Sequence, residues 1–164
     1  MKRYPPPLPP PFPIRRRRIP AFHPVPVSGR KDGWTHERQA AFIGYLAETR
    51  SVAAAAQAVS MAREGAYRLR AREGAASFAR AWDAALGKRP KSCDPAQEAS
   101  PKVTDLPARY RAEHGLIVTI MYRGRYVKSA RRPDNSALLQ HLAQLDRALR
   151  MADAEDGGWD EGHR

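Results

Sequence analysis

Residues 51–71 read SVAAAAQAVSMAREGAYRLRA. Four consecutive alanines, Ala53 to Ala56, bury too little apolar area to build a core by themselves, but they let two helices approach closely. Ser51 is placed to cap a helix over about 52–59, a turn falls at Ser60, and a further helix is predicted over about 62–71. Ala55 and Ala56 supply the close approach, and Val59, Met61, Ala66 and Leu69 the shared core. Two short helices joined by so brief a turn have the layout of a helix-turn-helix unit. The helix over 62–71 then presents Arg63, Glu64, Tyr67 and Arg68 outward, on a face that can enter a major groove. Arginine donates two hydrogen bonds to guanine O6 and N7, glutamate accepts from cytosine N4, and tyrosine reaches a phosphate or stacks on a methyl group. Arg70 and Arg72, with Lys88 and Arg89 further on, are candidates to neutralise phosphates where the chain leaves the helix. Taken singly, each arginine reads as a solvated surface charge; sharing one helix beside this turn, they read as a recognition face.

Upstream, GWTHERQAAFIGYLAETRS carries Phe42 and Leu46, with Gln39 and Ala47, at helical spacing, and Trp34 and Ile43 widen the stripe. Thr35 is the N-cap and Glu37 lies in the first turn, so a helix is predicted over about 35–48. Downstream, Ala75, Phe78, Ala79, Trp82 and Leu86 share one face of a helix over about 75–87. GKRPKSCDPAQEASPKVTDLP has no periodicity and reads as a linker ending near 108. LIVTIMYRGRYVKSA reads as a β-hairpin that turns at Arg123 to Arg125, with Gly124 free to take positive φ. RRPDNSALLQHLAQLDRALRM is a last helix capped by Asp134 or Asn135. Its stripe, Leu138, Leu142, Leu145 and Leu149, is expected to pack against the hairpin, since two strands are marginal without cover. The alternative is a homodimer seam through the same leucines, which would set two helix-turn-helix units on adjacent half-sites. ADAEDGGWDEGHR, with five acidic residues, reads as a mobile acidic tail.

The 164-residue chain has a formal net charge of +12, which points to a polyanionic partner, duplex DNA first. Ten of its 15 prolines lie between Pro5 and Pro26, and residues 1–31 carry eight Lys or Arg and no acid. That composition reads as a disordered polyproline arm whose Arg15, Arg16, Arg17 and Arg18 grip phosphates. A membrane surface ranks below nucleic acid, because this basic run sits among prolines and not opposite bulky apolar residues. No signal peptide is visible and GLIVTIMY is too short to span a bilayer, so a soluble, cytoplasmic protein is expected. The lone Cys93 allows neither a disulfide framework nor a thiolate metal cage. His23, His36, His114, His141 and His163 lack metal-ligand spacing. With no phosphate-binding loop and no paired acid and base, neither catalysis nor a cofactor or metal is assigned.

The fold class expected is mainly α. A disordered arm covers 1–32, a four-helix unit with the helix-turn-helix 33–87, a linker 88–108, a β-hairpin and helix 109–150, and an acidic tail 151–164. Residue by residue, DGWTHERQAAFIGYLAETRSVAAAAQAVSMAREGAYRLRAREGAASFARAWDAAL (32–86), and more loosely YRGRYV and RRPDN, resembles short bacterial helix-turn-helix proteins that are similar to phage terminase small subunits in their DNA-binding part. The resemblance covers about half the chain. It implies a DNA role for Arg63, Tyr67 and Arg68, which match recognition-helix positions, and phage-type DNA recognition during packaging; transcriptional regulation is the other role expected. Where such proteins favour glycine at the turn this chain has Ser60, and where they favour a serine or threonine cap it has Ala62. Two rivals remain: a protein–protein adaptor using the proline arm and leucine stripe, and a non-specific RNA binder.

Overall fold

The computed structural model describes residues 18–27, 30, 32–88 and 105–156. It is mainly helical, with one antiparallel hairpin before the last helix. Helix α1 (His36–Thr49) starts where Thr35 Oγ1 accepts the Arg38 N–H at 3.3 Å, and stops at Arg50, whose φ of 57° is left-handed. Helix α2 (Val52–Ala58) is capped by Ser51 Oγ, which accepts the Ala54 N–H at 3.4 Å. Helix α3 (Arg63–Arg70) begins at Ala62 with no side-chain cap, and α4 (Ala76–Ala85) follows. The sequence places these four helices to within a residue or two.

Between α2 and α3 the chain closes in a Schellman arrangement: Met61 N–H donates to Ala56 O at 2.9 Å and Ser60 N–H to Gln57 O at 3.0 Å. Ser60 occupies the left-handed position at φ 57°, where an L side chain costs roughly 1 kcal/mol that glycine avoids. Ser60→Gly should therefore raise the melting temperature by a few degrees, a gain of about 1 kcal/mol less the entropy glycine adds to the unfolded chain. An unchanged or lower melting temperature would contradict the left-handed turn.

One core joins these four helices to Phe22, Val25 and Ile117. Phe42, Phe78 and Trp82 are fully buried, with the Phe42 and Trp82 rings 4.8 Å apart. Ala55, Ala56 and Ala66 are buried between α2, α3 and the rest of this core, which accounts for two of the four consecutive alanines, while Ala53 is exposed.

The folded part does not begin at residue 33 as the sequence suggested. Phe22, His23, Pro24 and Val25 are buried, and this extended strap is sewn in along its length. Phe22 exchanges two backbone hydrogen bonds with Ile117 (3.1 and 2.7 Å), His23 N–H donates to Ser77 Oγ at 3.1 Å, and Gln39 holds Val25. Proline removes backbone donors and pre-sets an extended φ, so a segment fixed by few backbone bonds and two apolar anchors suits this composition. Of the predicted arm, residues 1–17, 28, 29 and 31 lie outside the described residues.

The predicted separate C-terminal unit is likewise part of the main body. After a seven-residue helix that sequence reading missed, α5 (Ala108–His114), Gly115 turns the chain at φ 64° into β1 (Leu116–Tyr122). β1 pairs with β2 (Arg125–Arg132) through a two-residue turn, Arg123 and Gly124, both at positive φ, as a tight hairpin requires. A bulge between Ile120 and Met121 leaves Val127 as the extra residue of β2. β2 lies on α1: the Tyr126 ring covers Gly44, where any Cβ would overlap it, and Tyr126 N–H donates to Glu48 Oε2 at 2.9 Å.

The hairpin packs on α1 and not on the last helix, α6 (Asn135–Asp156). The leucine stripe expected to pack there is exposed: Leu138, Leu142, Leu145 and Leu149 keep 47, 51, 48 and 65% of their surface open. Helix α6 also runs past residue 150, so the predicted tail is helical to Asp156; residues 157–164 lie outside the described residues.

Candidate nucleic-acid interface

The α3 face follows from how α3 is seated. Ala66 and Leu69 point into the core, which by helical periodicity turns Arg63, Glu64, Tyr67 and Arg68 outward, and all four are exposed. A mid-helix glycine costs up to about 1 kcal/mol against alanine, yet Gly65 has a packing reason. It lies over the Trp34 indole, and a Cβ there would sit 3.1 Å from Nε1. Trp34 thus sets how closely α3 approaches α1. Glu64 lies in the first turn, where the dipole favours a carboxylate. Tyr67 keeps 48% of its surface open while its ring lies 5.5 Å from that of Trp82, so the phenol is propped outward on a rigid base.

Among the described residues the side chains of Arg63, Arg68 and Arg72 make no ion pair, and all three are exposed. Arg70 is different. Its Nη2 donates to both Asp83 oxygens at 3.0 Å and its guanidinium stands over Trp82, 5.5 Å from the ring. It fastens α3 to α4, and so is engaged where the sequence reading offered it to phosphate. The pair is about one-third exposed, so solvent limits its energetic worth to a fraction of a kcal/mol to about 1 kcal/mol. Of the predicted arm Arg18 is described and exposed, whereas Arg15, Arg16, Arg17, Arg89 and Cys93 lie outside the described residues. What the sequence reading brings together on one surface is therefore Arg63, Glu64, Tyr67 and Arg68, with Arg72 just beyond the helix.

Protein-family models, curated proteins and solved structures contain no match to this chain.

Two histidine clusters that sequence spacing did not reveal lie elsewhere. His23 Nε2 meets Asp134 Oδ2 at 2.9 Å, with Arg111 Nη1 3.7 Å from the same oxygen. Burial lowers the His23 pKa below its ordinary value, the Asp134 contact offsetting only part of it. Asp134 Oδ1 accepts the Ala137 N–H at 3.0 Å and so caps α6. Burial would raise the Asp134 pKa, but that bond and the one from His23 bring it below the usual value.

His36 and His114 stand with ring centroids 4.8 Å apart, and Tyr110 Oη lies 3.3 Å from His36 Nε2. Of these, His36 borders a cleft of about 230 Å³ that Glu37, Ile117, Tyr126, Ser129 and Arg131 also line. Burial, then the nearby His114 and Arg131, lower the His36 pKa, which keeps it neutral at pH 7. A neutral imidazole hydrogen-bonded to a phenol joins α1 to α5. Among the described residues no group of three or more His, Cys, Asp or Glu could hold a metal ion, and no helix is long and apolar enough to cross a membrane.

Proposed function

We propose that this protein binds duplex DNA, with α2, the Ser60 turn and α3 acting as a helix-turn-helix and α3 entering the major groove. The observation that carries the reading is the α3 face: Arg63, Glu64, Tyr67 and Arg68 are exposed together on a helix whose opposite side is locked into the core. Arg63 and Arg68 then read base edges, Glu64 accepts from a cytosine amine, Tyr67 and Arg72 position the phosphate backbone, and the basic arm adds a sequence-independent grip. The net charge of +12 supplies that grip's driving force. Neutralising about five phosphates gives a log–log salt slope near −4.5. Its role is then transcriptional regulation or, as the resemblance implies, phage-type DNA recognition.

The test is selection from random duplex DNA at physiological salt, beside an Arg63→Ala, Arg68→Ala double variant. The native chain should enrich a motif that the double variant loses, each arginine contributing about tenfold in discrimination. Equal enrichment by both proteins, or none by either, would overturn base reading by this face.

A further inference from the structure

Helix α6 is 22 residues long, about 33 Å, and only its first turn is held. Ala137 is buried and Arg111 Nη2 donates to Gln140 Oε1 at 2.6 Å. From Leu138 to Ala154 every residue but His141 is exposed. A helix of this length is marginal in water without a packed face, and this one has a face prepared: Leu138, Leu142, Leu145 and Leu149 repeat at the four–three–four spacing of a helix–helix seam. We propose that this seam is a homodimer interface in which α6 of a second copy lies antiparallel.

Two properties of the helix choose that occupant and that direction. The stripe is self-complementary. A two-fold axis between Leu142 and Leu145 sets Leu138 against the partner's Leu149 and Leu142 against the partner's Leu145, the isologous arrangement of a closed dimer. The ends are opposite in charge. Arg131 and Arg132, both exposed, precede α6 by way of Pro133 and Asp134, whose carboxylate is already engaged by His23, Arg111 and the Ala137 N–H, and no acidic residue stands between Asn135 and Leu145. Past Arg147, and Arg150 which pairs with Asp146, the other end carries Asp153 and, in sequence, two further acids, at a C-terminus whose dipole disfavours them. Antiparallel pairing lays each acidic end beside the partner's N-terminus and its arginines, where the dipole favours it. Parallel pairing would put acid on acid. The dimer stands independently of the DNA reading, because it uses no α3 residue.

The full chain in sedimentation equilibrium across micromolar concentrations should give the mass of two copies. A Leu142→Glu, Leu145→Glu variant should give one copy while keeping the native cooperative thermal unfolding, since neither leucine belongs to the buried core. Direction is read in a Cys93→Ser background by oxidising Leu138→Cys and Leu149→Cys chains together and apart. The antiparallel seam forms the mixed disulfide, and Leu138→Cys alone forms none, its two copies lying about 16 Å apart along the helix. A monomer at every concentration, a variant that remains a folded dimer, or a disulfide between two Leu138→Cys chains would each overturn the proposal.

Discussion

Replacing Phe22 with alanine should cost the fold about 3–5 kcal/mol, read as a fall in the urea midpoint at unchanged slope. The ring is fully buried and meets Phe78 edge-on at 5.6 Å. Its backbone exchanges both hydrogen bonds with Ile117, and Pro20 and Pro24 restrain the chain on either side, so the void has little room to collapse. A loss below about 1 kcal/mol would mean that the strap rides on the surface in solution. The same reasoning changes how the basic arm should be tested for DNA binding. A deletion reaching residue 31 removes Phe22 and Val25 as well and confuses unfolding with lost phosphate contacts. The cut has to stop before Ile19.

Gln39→Leu should cost about 3 kcal/mol or more although it leaves no cavity. Gln39 is fully buried; its Oε1 accepts the Val25 N–H at 2.7 Å, and its Nε2 donates to Val25 O at 3.0 Å and Trp34 O at 3.1 Å. Leucine of similar size abandons three backbone groups inside the protein, and each buried orphan costs about 1–3 kcal/mol where water cannot replace the partner. Equilibrium denaturation checks it. A change under about 0.5 kcal/mol would show that solvent reaches Val25 once the amide is gone.

Helices α1 to α4 were legible because each has its apolar residues at helical spacing, and α1 and α2 also have a capping residue at the start. Gln39 stood in the apolar stripe of α1, and that position did foretell its burial, though not its partners. The strap was illegible for a physical reason. A run held by side-chain amides and a two-bond bridge has no period, and its prolines mimic the composition of an unfolded arm. Seven-residue α5 is too short to show a stripe. The leucines of α6 were read as cover for the hairpin because nothing local says that α1 already covers it. At the candidate interface, the outward face of α3 followed from the inward one, whereas the engagement of Arg70 depended on Asp83, 13 residues away on another helix.

The strap also dictates an order of events during synthesis. Its neighbour Gln39 is made soon after it, but His23 must wait for Asp134, 111 residues later. At about 5–20 residues per second, the nascent helices spend several seconds with the Phe22 niche on Phe78 unfilled from the β1 side. A chain that halts before the hairpin would carry that apolar surface outward, so quality control at the ribosome exit would meet this protein through its N-terminal end.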